Sequence, residues 1–121
     1  MNYETATDRE LNDKLLEMIH GEVVRYWHLS DDETYIYDCG PTGEDFHKID
    51  IKDYCTDWNA TMPLMIEHGL TLSPVSWPEE CIGQWGCETN DDRDISVFLT
   101  DPLRAVVVCL IKILESKHER T

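Results

Sequence analysis

Near the start of the chain, apolar residues recur at the spacing of an amphipathic α-helix. Thr7 and Glu10 form a Thr-x-x-Glu capping box in front of this stretch, and Gly21 follows it as a stop signal. The pattern therefore predicts a helix between Thr7 and Gly21. Its apolar positions are Leu11, Leu15, Met18 and Ile19.

A second helical pattern lies near the end of the chain and has the widest apolar face. Asp101 is a suitable capping residue, and Pro102 fits the first helical position, which needs no backbone N–H donor. Residues 103–117 then run without a helix breaker, so we expect this helix to be central to the core. The positions predicted to form its apolar face are Val106, Val107, Leu110, Ile111 and Leu114.

A third, shorter helix is predicted to end at Gly69. Because a proline deeper in a helix removes a backbone hydrogen bond, Pro63 is expected in the first turn. This places the capping residue near Asn59 or Thr61. The residues expected on its buried side are Leu64, Met65 and either Met62 or His68.

Between the helices, the pattern changes to short runs of β-forming residues bounded by turn formers. Residues 22–29 and 34–38 predict a hairpin around a polar turn at 30–33. Further strands are predicted in the second half of 46–51, at 70–72 and at 95–99.

This order of elements indicates an α+β fold in a single domain that spans residues 1–121. Strands and helices alternate without repeats or a linker. We expect a small antiparallel or mixed sheet of about four to five strands, with three helices packed mainly on one face.

Residues 74–94 show no regular pattern and are predicted to form a long loop. Loops of this length in a small domain are more often functional than not. Trp77 and Trp85 are therefore candidate interface anchors, while burial under the loop stays open as the alternative. Trp27 and Trp58 lie in patterned elements and are expected in the core.

The charge of the chain is far from that of an average globular protein. Of its 121 residues, 25 are acidic and 10 are Lys or Arg, which gives a formal net charge of -15. Phosphate-backbone binding requires a basic footprint, so direct nucleic-acid binding is not expected. Anionic membrane surfaces would repel the chain for the same reason. The partner that this charge favours is a basic protein surface.

The carboxylates are concentrated in two parts of the sequence, one around the predicted hairpin and one at the end of the long loop. Carboxylates on an ordered surface can imitate duplex phosphates, although most small acidic proteins carry their charge only as a solvated surface. The residues predicted to contact a partner are Asp31, Asp32, Glu33, Glu44, Asp45, Trp77, Trp85, Asp91, Asp92 and Asp94.

Five cysteines are present, an odd number. The amino terminus is polar and acidic, so it does not resemble a signal peptide. The longest apolar stretch, 105–111, is too short to span a bilayer. We therefore expect reduced thiols and a cytoplasmic protein that needs no cofactor.

Two cysteine chemistries stay open as weaker alternatives. Cys81 and Cys87 could hold zinc together with a histidine, although structural zinc sites usually contain cysteines closer together. Cys39 could act as a nucleophile with His47 and Asp50, but its acidic neighbours would raise the pKa of the thiol. The prediction is therefore a protein without catalytic residues.

Three stretches of sequence, in a fixed order along the chain, cover about half of it and together resemble a known family. They are Met1-Asn2-Tyr3 with Thr7-Asp8-Arg9-Glu10-Leu11-Asn12, Asp57-Trp58 with Met62-Pro63-Leu64-Met65-Ile66-Glu67-His68-Gly69-Leu70, and Asp101-Pro102-Leu103-Arg104-Ala105. Together they resemble the NinX-like proteins of lambdoid phages and prophages. The resemblance implies a non-essential accessory protein made inside an infected or lysogenic bacterium. It carries over no catalytic residues.

Charge and resemblance together predict a non-enzymatic, acidic phage accessory protein in the cytoplasm of a bacterial host. It would bind a basic surface of a host protein, and one form of such binding is DNA-mimic-like inhibition of a defence or nucleic-acid enzyme. Two alternatives are a small metal-binding or Cys-dependent enzyme and a homo-oligomeric structural phage protein, for example a homodimer.

Overall fold

Three α-helices and six β-strands follow one another in the part of the chain that the structure describes. The computed structural model describes residues 2–3, 5–76, 79–89 and 95–119, with the backbone alone at 22, 23, 81, 118 and 119. The elements are α1 (Asp8–His20), a 3-10 helix (Glu22–Tyr26), β1 (His28–Leu29), β2 (Tyr35–Asp38), β3 (His47–Asp50), α2 (Trp58–Glu67), β4 (Leu70–Pro74), a second 3-10 helix (Glu79–Cys81), β5 (Trp85–Thr89), β6 (Ser96–Leu99) and α3 (Pro102–Glu119).

The strands form two separate antiparallel sheets, which confirms the α+β class. The first sheet has the order β1-β2-β3 and the second has the order β4-β5-β6. The predicted single sheet of four to five strands is wrong in this respect. Strands β1, β2 and β3 pair with one another in chain order, and so do β4, β5 and β6. In the sequence, α2 separates the first three strands from the last three.

The last helix forms the centre of the core. Every side chain from Ala105 to Ile111 is at most 1% exposed, and so is Ile113. A helix that is apolar all round must be covered all round. Here α1, α2 and the second sheet all pack against α3. In the described part of the chain, no helix has both the length and the apolar character that crossing a lipid bilayer would require.

The predicted capping box of α1 is confirmed. The Thr7 hydroxyl accepts the N–H of Glu10 at 3.1 Å, and the Glu10 carboxylate accepts the N–H of Thr7 at 3.0 Å. These bonds lower the pKa of Glu10 below its ordinary value. The helix ends at Gly21, whose φ of 98° an L side chain would rarely adopt.

The second helix begins earlier than predicted. Asp57 caps it by accepting the N–H of Asn59 at 3.0 Å, so Pro63 lies beyond the first turn. A proline there leaves the carbonyl of Asn59 without its helical donor. Both residues are exposed, so this part of the helix lies on the solvent side. The helix therefore tolerates Pro63 on its outer side.

The buried side of α2 also differs from the prediction. Leu64 and Met65 pack against the core, as expected. Thr61 is fully buried as well, because its hydroxyl donates a hydrogen bond to the Tyr54 carbonyl at 2.7 Å. With Thr61 inside, the helical repeat turns Met62 outward. The prediction of Trp58 in the core is wrong, because Trp58 lies one turn before Met62 on the same side of the helix and is 38% exposed; Trp27 is half-buried.

The segment 74–94 is not one long loop. Within it, β5 is the central strand of the second sheet, and β4 extends as far as Pro74. The strand was hard to recognise because it contains a glycine. A Cβ added at Gly86 would lie 2.8 Å from the Phe98 ring, so that ring occupies the space over the glycine. A side chain on β6 thus takes the place of the missing side chain on β5.

The start of α3 is tied to the amino-terminal segment. Asp101 caps the helix by accepting the N–H groups of Leu103 and Arg104 at 3.0 and 3.2 Å, as predicted. The Arg104 guanidinium donates to Asp8 Oδ1 at 2.9 Å and to the Tyr3 carbonyl at 3.2 Å. This arginine is mostly buried and holds the segment before α1 against α3.

We expect Leu110→Ala to lower the free energy of unfolding by about 3 kcal/mol, because the truncation leaves a cavity in a closely packed core. Ile66→Ala, at a position that is 73% exposed, should change it by less than about 0.5 kcal/mol. Urea unfolding followed by circular dichroism measures both. Similar losses for the two variants would contradict the central position of α3.

Candidate functional site

The first sheet has two faces, and the strand register decides which side chains share each of them. Ile36 pairs with Leu29 in β1 and with Ile49 in β3, so these three apolar residues lie on one face. Leu29 and Ile36 border a cleft of about 260 Å³ that extends to α1. This inner face is therefore directed at the rest of the protein. The other apolar residues lining the cleft are Leu16, Val24, Trp27 and Ile51.

The opposite face of the first sheet carries a row of aromatic rings. The ring centroid of Tyr37 lies 5.4 Å from that of His28 and 5.8 Å from that of Phe46. The rings of Tyr35 and Tyr37 are 6.0 Å apart. These are the separations at which aromatic rings attract one another. Phe46 is 57% exposed and His28 is also exposed, while Tyr35 and Tyr37 are half-buried, so the row is open to solvent mainly at its two outer rings. We call His28, Tyr35, Tyr37 and Phe46 the aromatic face.

One cation already lies on the aromatic face. The ammonium nitrogen of Lys48 is 4.5 Å from the centroid of the Tyr35 ring, within the range of a cation–π interaction. The same nitrogen is 3.5 Å from the Asp50 carboxylate. Lys48 pairs with Tyr37 across the strands and Asp50 pairs with Tyr35, so all four side chains share this face.

The turn between β1 and β2 presents the first group of predicted acidic residues. Asp31, Asp32 and Glu33 are all exposed. Asp32 is also structural, because its Oδ1 accepts hydrogen bonds from the Thr34 hydroxyl at 2.6 Å and from the Ser30 hydroxyl at 2.9 Å. These bonds lower the pKa of Asp32, and the bond from Thr34 contributes most to the shift. The carboxylate therefore stays ionised and holds the turn.

The loop between β2 and β3 presents the second group. Glu44 and Asp45 are exposed and directly precede Phe46. The loop closes where the N–H of Asp45 donates to the Cys39 carbonyl at 3.1 Å. Because this loop and the β1–β2 turn join opposite ends of β2, the two acidic groups lie at opposite ends of the aromatic face, separated along the strand by more than the roughly 10 Å that β2 spans.

The structure separates the remaining predicted contact residues from this surface or does not describe them. Trp77, Asp91, Asp92 and Asp94 lie outside the described residues. Trp85 lies on β5 in the second sheet, opposite Pro74 and Leu99, and is half-buried. Placing Trp85 in a loop was wrong.

Sequence reasoning missed the aromatic face itself. The signal was the sequence Tyr35-Ile36-Tyr37, because residues two apart in a strand point to the same side. His28 and Phe46 carried no comparable signal. They join the row only through the register of three strands.

A mixed-charge cleft adjoins the inner face of the first sheet. Arg9 lies 3.9 Å from Asp13 and 3.8 Å from Glu33, and Arg25 forms an ion pair with Glu17. Burial raises the pKa of Asp13, although Arg9 opposes the shift. The cationic groups of this cleft are thus matched by acidic groups of the same chain.

The buried cysteines are poorly suited to nucleophilic chemistry. Burial raises the pKa of Cys55 to about 12, with a further contribution from the nearby Asp8 carboxylate. The pKa of Cys87 is also raised, by its contact with the Cys109 thiol and by burial. A thiol with a raised pKa is not ionised at neutral pH. Cys39, the nucleophile predicted from the sequence, is half-buried and follows the end of β2.

The zinc alternative needs Cys87 as a metal ligand, but the fold places this residue in the interior. Cys87 pairs with Leu72 and Val97 across the second sheet and is 0% exposed, so its thiol lies in the apolar core. The side chain of Cys81 lies outside the described part. Within the described part, His, Cys, Asp and Glu side chains do not come together in a group of three or more that could hold a metal ion.

Compared with known proteins, the chain matches no family model, no curated protein sequence and no solved structure. The NinX-like resemblance therefore stays a prediction. In the structure, several residues of the three resembling stretches stabilise the fold. Asp57 caps α2, Asp101 caps α3, and Arg104 joins α3 to Asp8.

We expect iodoacetamide at pH 8 to label Cys39 much faster than Cys55, Cys87 or Cys109 in the native protein, because the last three are buried and the pKa values of Cys55 and Cys87 are raised. Peptide mass mapping after timed labelling measures each rate, and labelling in urea provides the control in which all four react. Native labelling of Cys87 as fast as Cys39 would contradict its burial.

Proposed function

We propose that this chain is a non-enzymatic protein that binds a basic protein surface through the outer side of its first sheet. The observation that carries the proposal is a solvent-facing aromatic row with carboxylates at both ends. Residues 28–51 contain seven acidic residues and one lysine, so the surroundings of the rings are strongly negative.

The combination of rings and carboxylates favours a protein partner. Aromatic residues supply much of the binding energy at protein interfaces, while charged residues at the rim guide association and select the partner. Charge alone would explain only a solvated surface. The exposure of the Phe46 ring, stacked on the half-buried Tyr37, has no such explanation.

The NinX-like resemblance adds a setting to this proposal. In an infected or lysogenic bacterium, the partner would be a host protein with a basic surface. A nucleic-acid-binding or defence enzyme has such a surface, and an acidic protein that occupies it would act as a DNA-mimic-like inhibitor.

The metal-binding alternative receives less support from the geometry, because its ligand Cys87 is buried and has a raised pKa. The Cys-dependent alternative would use Cys39, which is half-buried and follows β2, and it stays an alternative.

Neutralising the two ends of the aromatic face should weaken binding. We expect the variant Asp31→Asn, Glu44→Gln, Asp45→Asn to bind a captured host protein roughly tenfold more weakly, because each exposed charge contributes modestly. The protein captured from bacterial lysate by the wild-type chain is purified, and its Kd is measured at low and high salt. Asp32 is left unchanged because it holds the turn.

The matched control is Glu79→Gln, Glu80→Gln, Glu88→Gln, which removes the same charge from exposed positions away from the first sheet. This variant should keep most of the affinity. Equal losses in the two variants would assign the effect to net charge, and an affinity that salt does not change would refute charge-led binding.

A second candidate, a homo-oligomer, is favoured by one observation on α2. Trp58, Met62 and Ile66 follow one another at four-residue spacing and are all exposed, so they form an apolar stripe. Glu67 is the only charged residue within this helix. Two copies of a chain with a net charge of -15 could therefore meet along α2 with little local repulsion.

If α2 pairs with a second copy, Ile66→Glu should convert a dimer to a monomer, because it places a charge at the most exposed position of the apolar stripe. Analytical ultracentrifugation at several concentrations measures the mass, with Thr71→Glu on the exposed side of β4 as the control. A wild-type chain that sediments as a monomer at every concentration would exclude this candidate.

A further inference from the structure

The position of Lys48 suggests what kind of group the aromatic face binds. Its ammonium lies over the Tyr35 ring and beside the Asp50 carboxylate, at 4.5 and 3.5 Å. The side chains of Lys48 and Asp50 are 48% and 71% exposed. The lysine is thus held at the surface by one ring and one carboxylate, and it is not locked into the core.

A cation held in this way is exchangeable. Exposed cation–π contacts and exposed ion pairs each change an equilibrium only by about two- to fivefold. A second cation that meets the same ring and carboxylate can therefore displace Lys48 at little cost, since Lys48 returns to water when it leaves.

We propose that the aromatic face is a binding site for an arginine side chain of the basic partner, and that Lys48 is the resident cation which the guanidinium replaces. This inference rests on the proposed function and identifies the ligand chemistry of the same surface. The guanidinium would lie on the Tyr35 ring and form two hydrogen bonds to the Asp50 carboxylate.

Arginine fits this surface better than lysine for geometric reasons. A guanidinium is planar, stacks on aromatic rings and presents paired N–H donors to a carboxylate. The stacked rings of Tyr37 and Phe46 extend the platform beyond Tyr35. A neighbouring arginine or an apolar side chain of the same segment would contact them.

The resident lysine also sets the affinity of the site. While Lys48 occupies the position over Tyr35, an incoming arginine must compete with it. Removal of Lys48 should therefore strengthen binding by more than its charge alone would explain. Lys52 offers a matched comparison, because it is exposed and follows β3 closely.

The test measures binding of fluorescein-labelled hexa-arginine and hexa-lysine peptides to the full chain by fluorescence anisotropy at low salt. We expect hexa-arginine to bind more tightly than hexa-lysine. Lys48→Ala should strengthen hexa-arginine binding about two- to fivefold more than Lys52→Ala does. Tyr35→Leu should weaken it by a similar factor, and Tyr35→Phe, which keeps the ring, should not. Circular dichroism of each variant checks the fold.

Two results would overturn the inference in distinguishable ways. If hexa-arginine binds but Lys48→Ala equals Lys52→Ala and Tyr35→Leu equals the wild type, the ring site is refuted while charge-led binding stands. If neither peptide binds the wild-type chain at low salt, the arginine site and the proposed basic partner are refuted together.

Discussion

The complete burial of residues 105–111 in α3 is the constraint on which the rest of the structure depends. A helix that is apolar around its whole circumference cannot lie on a surface, so other elements must cover it on every side. The second sheet, α1 and α2 each bury their apolar side chains against it. Even the amino-terminal segment is fastened to it through Arg104.

The first sheet takes little part in this core, and that leaves it available for another role. Only its inner residues, such as Leu29 and Ile36, face the cleft beside α1. Its outer side is under no packing demand, so it can carry exposed rings and a dense negative charge. In the second sheet, the inner side chains Leu72, Cys87 and Val97 are directed at α3 instead. The second sheet thus contributes to the core, while the first sheet carries the proposed contact surface.

Elements with strong local signals could be predicted from the sequence. The capping box of α1, the proline and apolar repeat of α3, and the turn at residues 30–33 were all recognised because neighbouring residues determine them. The strand predicted over residues 22–29 was wrong for most of its length, because residues 22–26 form a 3-10 helix and β1 has only two residues. Errors arose where a distant contact overrides the local pattern. Gly86 is acceptable in a central strand because Phe98 covers it, and Thr61 is buried because the Tyr54 carbonyl accepts its hydroxyl.

The candidate site shows the same limit. Its acidic residues, among them Asp31 and Glu44, could be predicted from composition, since a turn and a loop expose them. The rings could not, because His28, Tyr37 and Phe46 come from three separate segments and meet only through the strand register. The prediction of Trp85 as a contact relied on a loop that is a strand. The sequence pattern therefore shows where charged residues are exposed, but it does not show which distant residues meet on one surface.

The position of α3 in chain order has a consequence for how the protein forms during synthesis. The helix that all other core elements cover follows them in the sequence, so it leaves the ribosome after them. Until residues 102–113 have emerged, α1, α2 and the second sheet lack the surface against which they pack. Folding of the nascent chain is therefore completed only after that point, and the earlier elements expose apolar side chains to chaperones in the meantime.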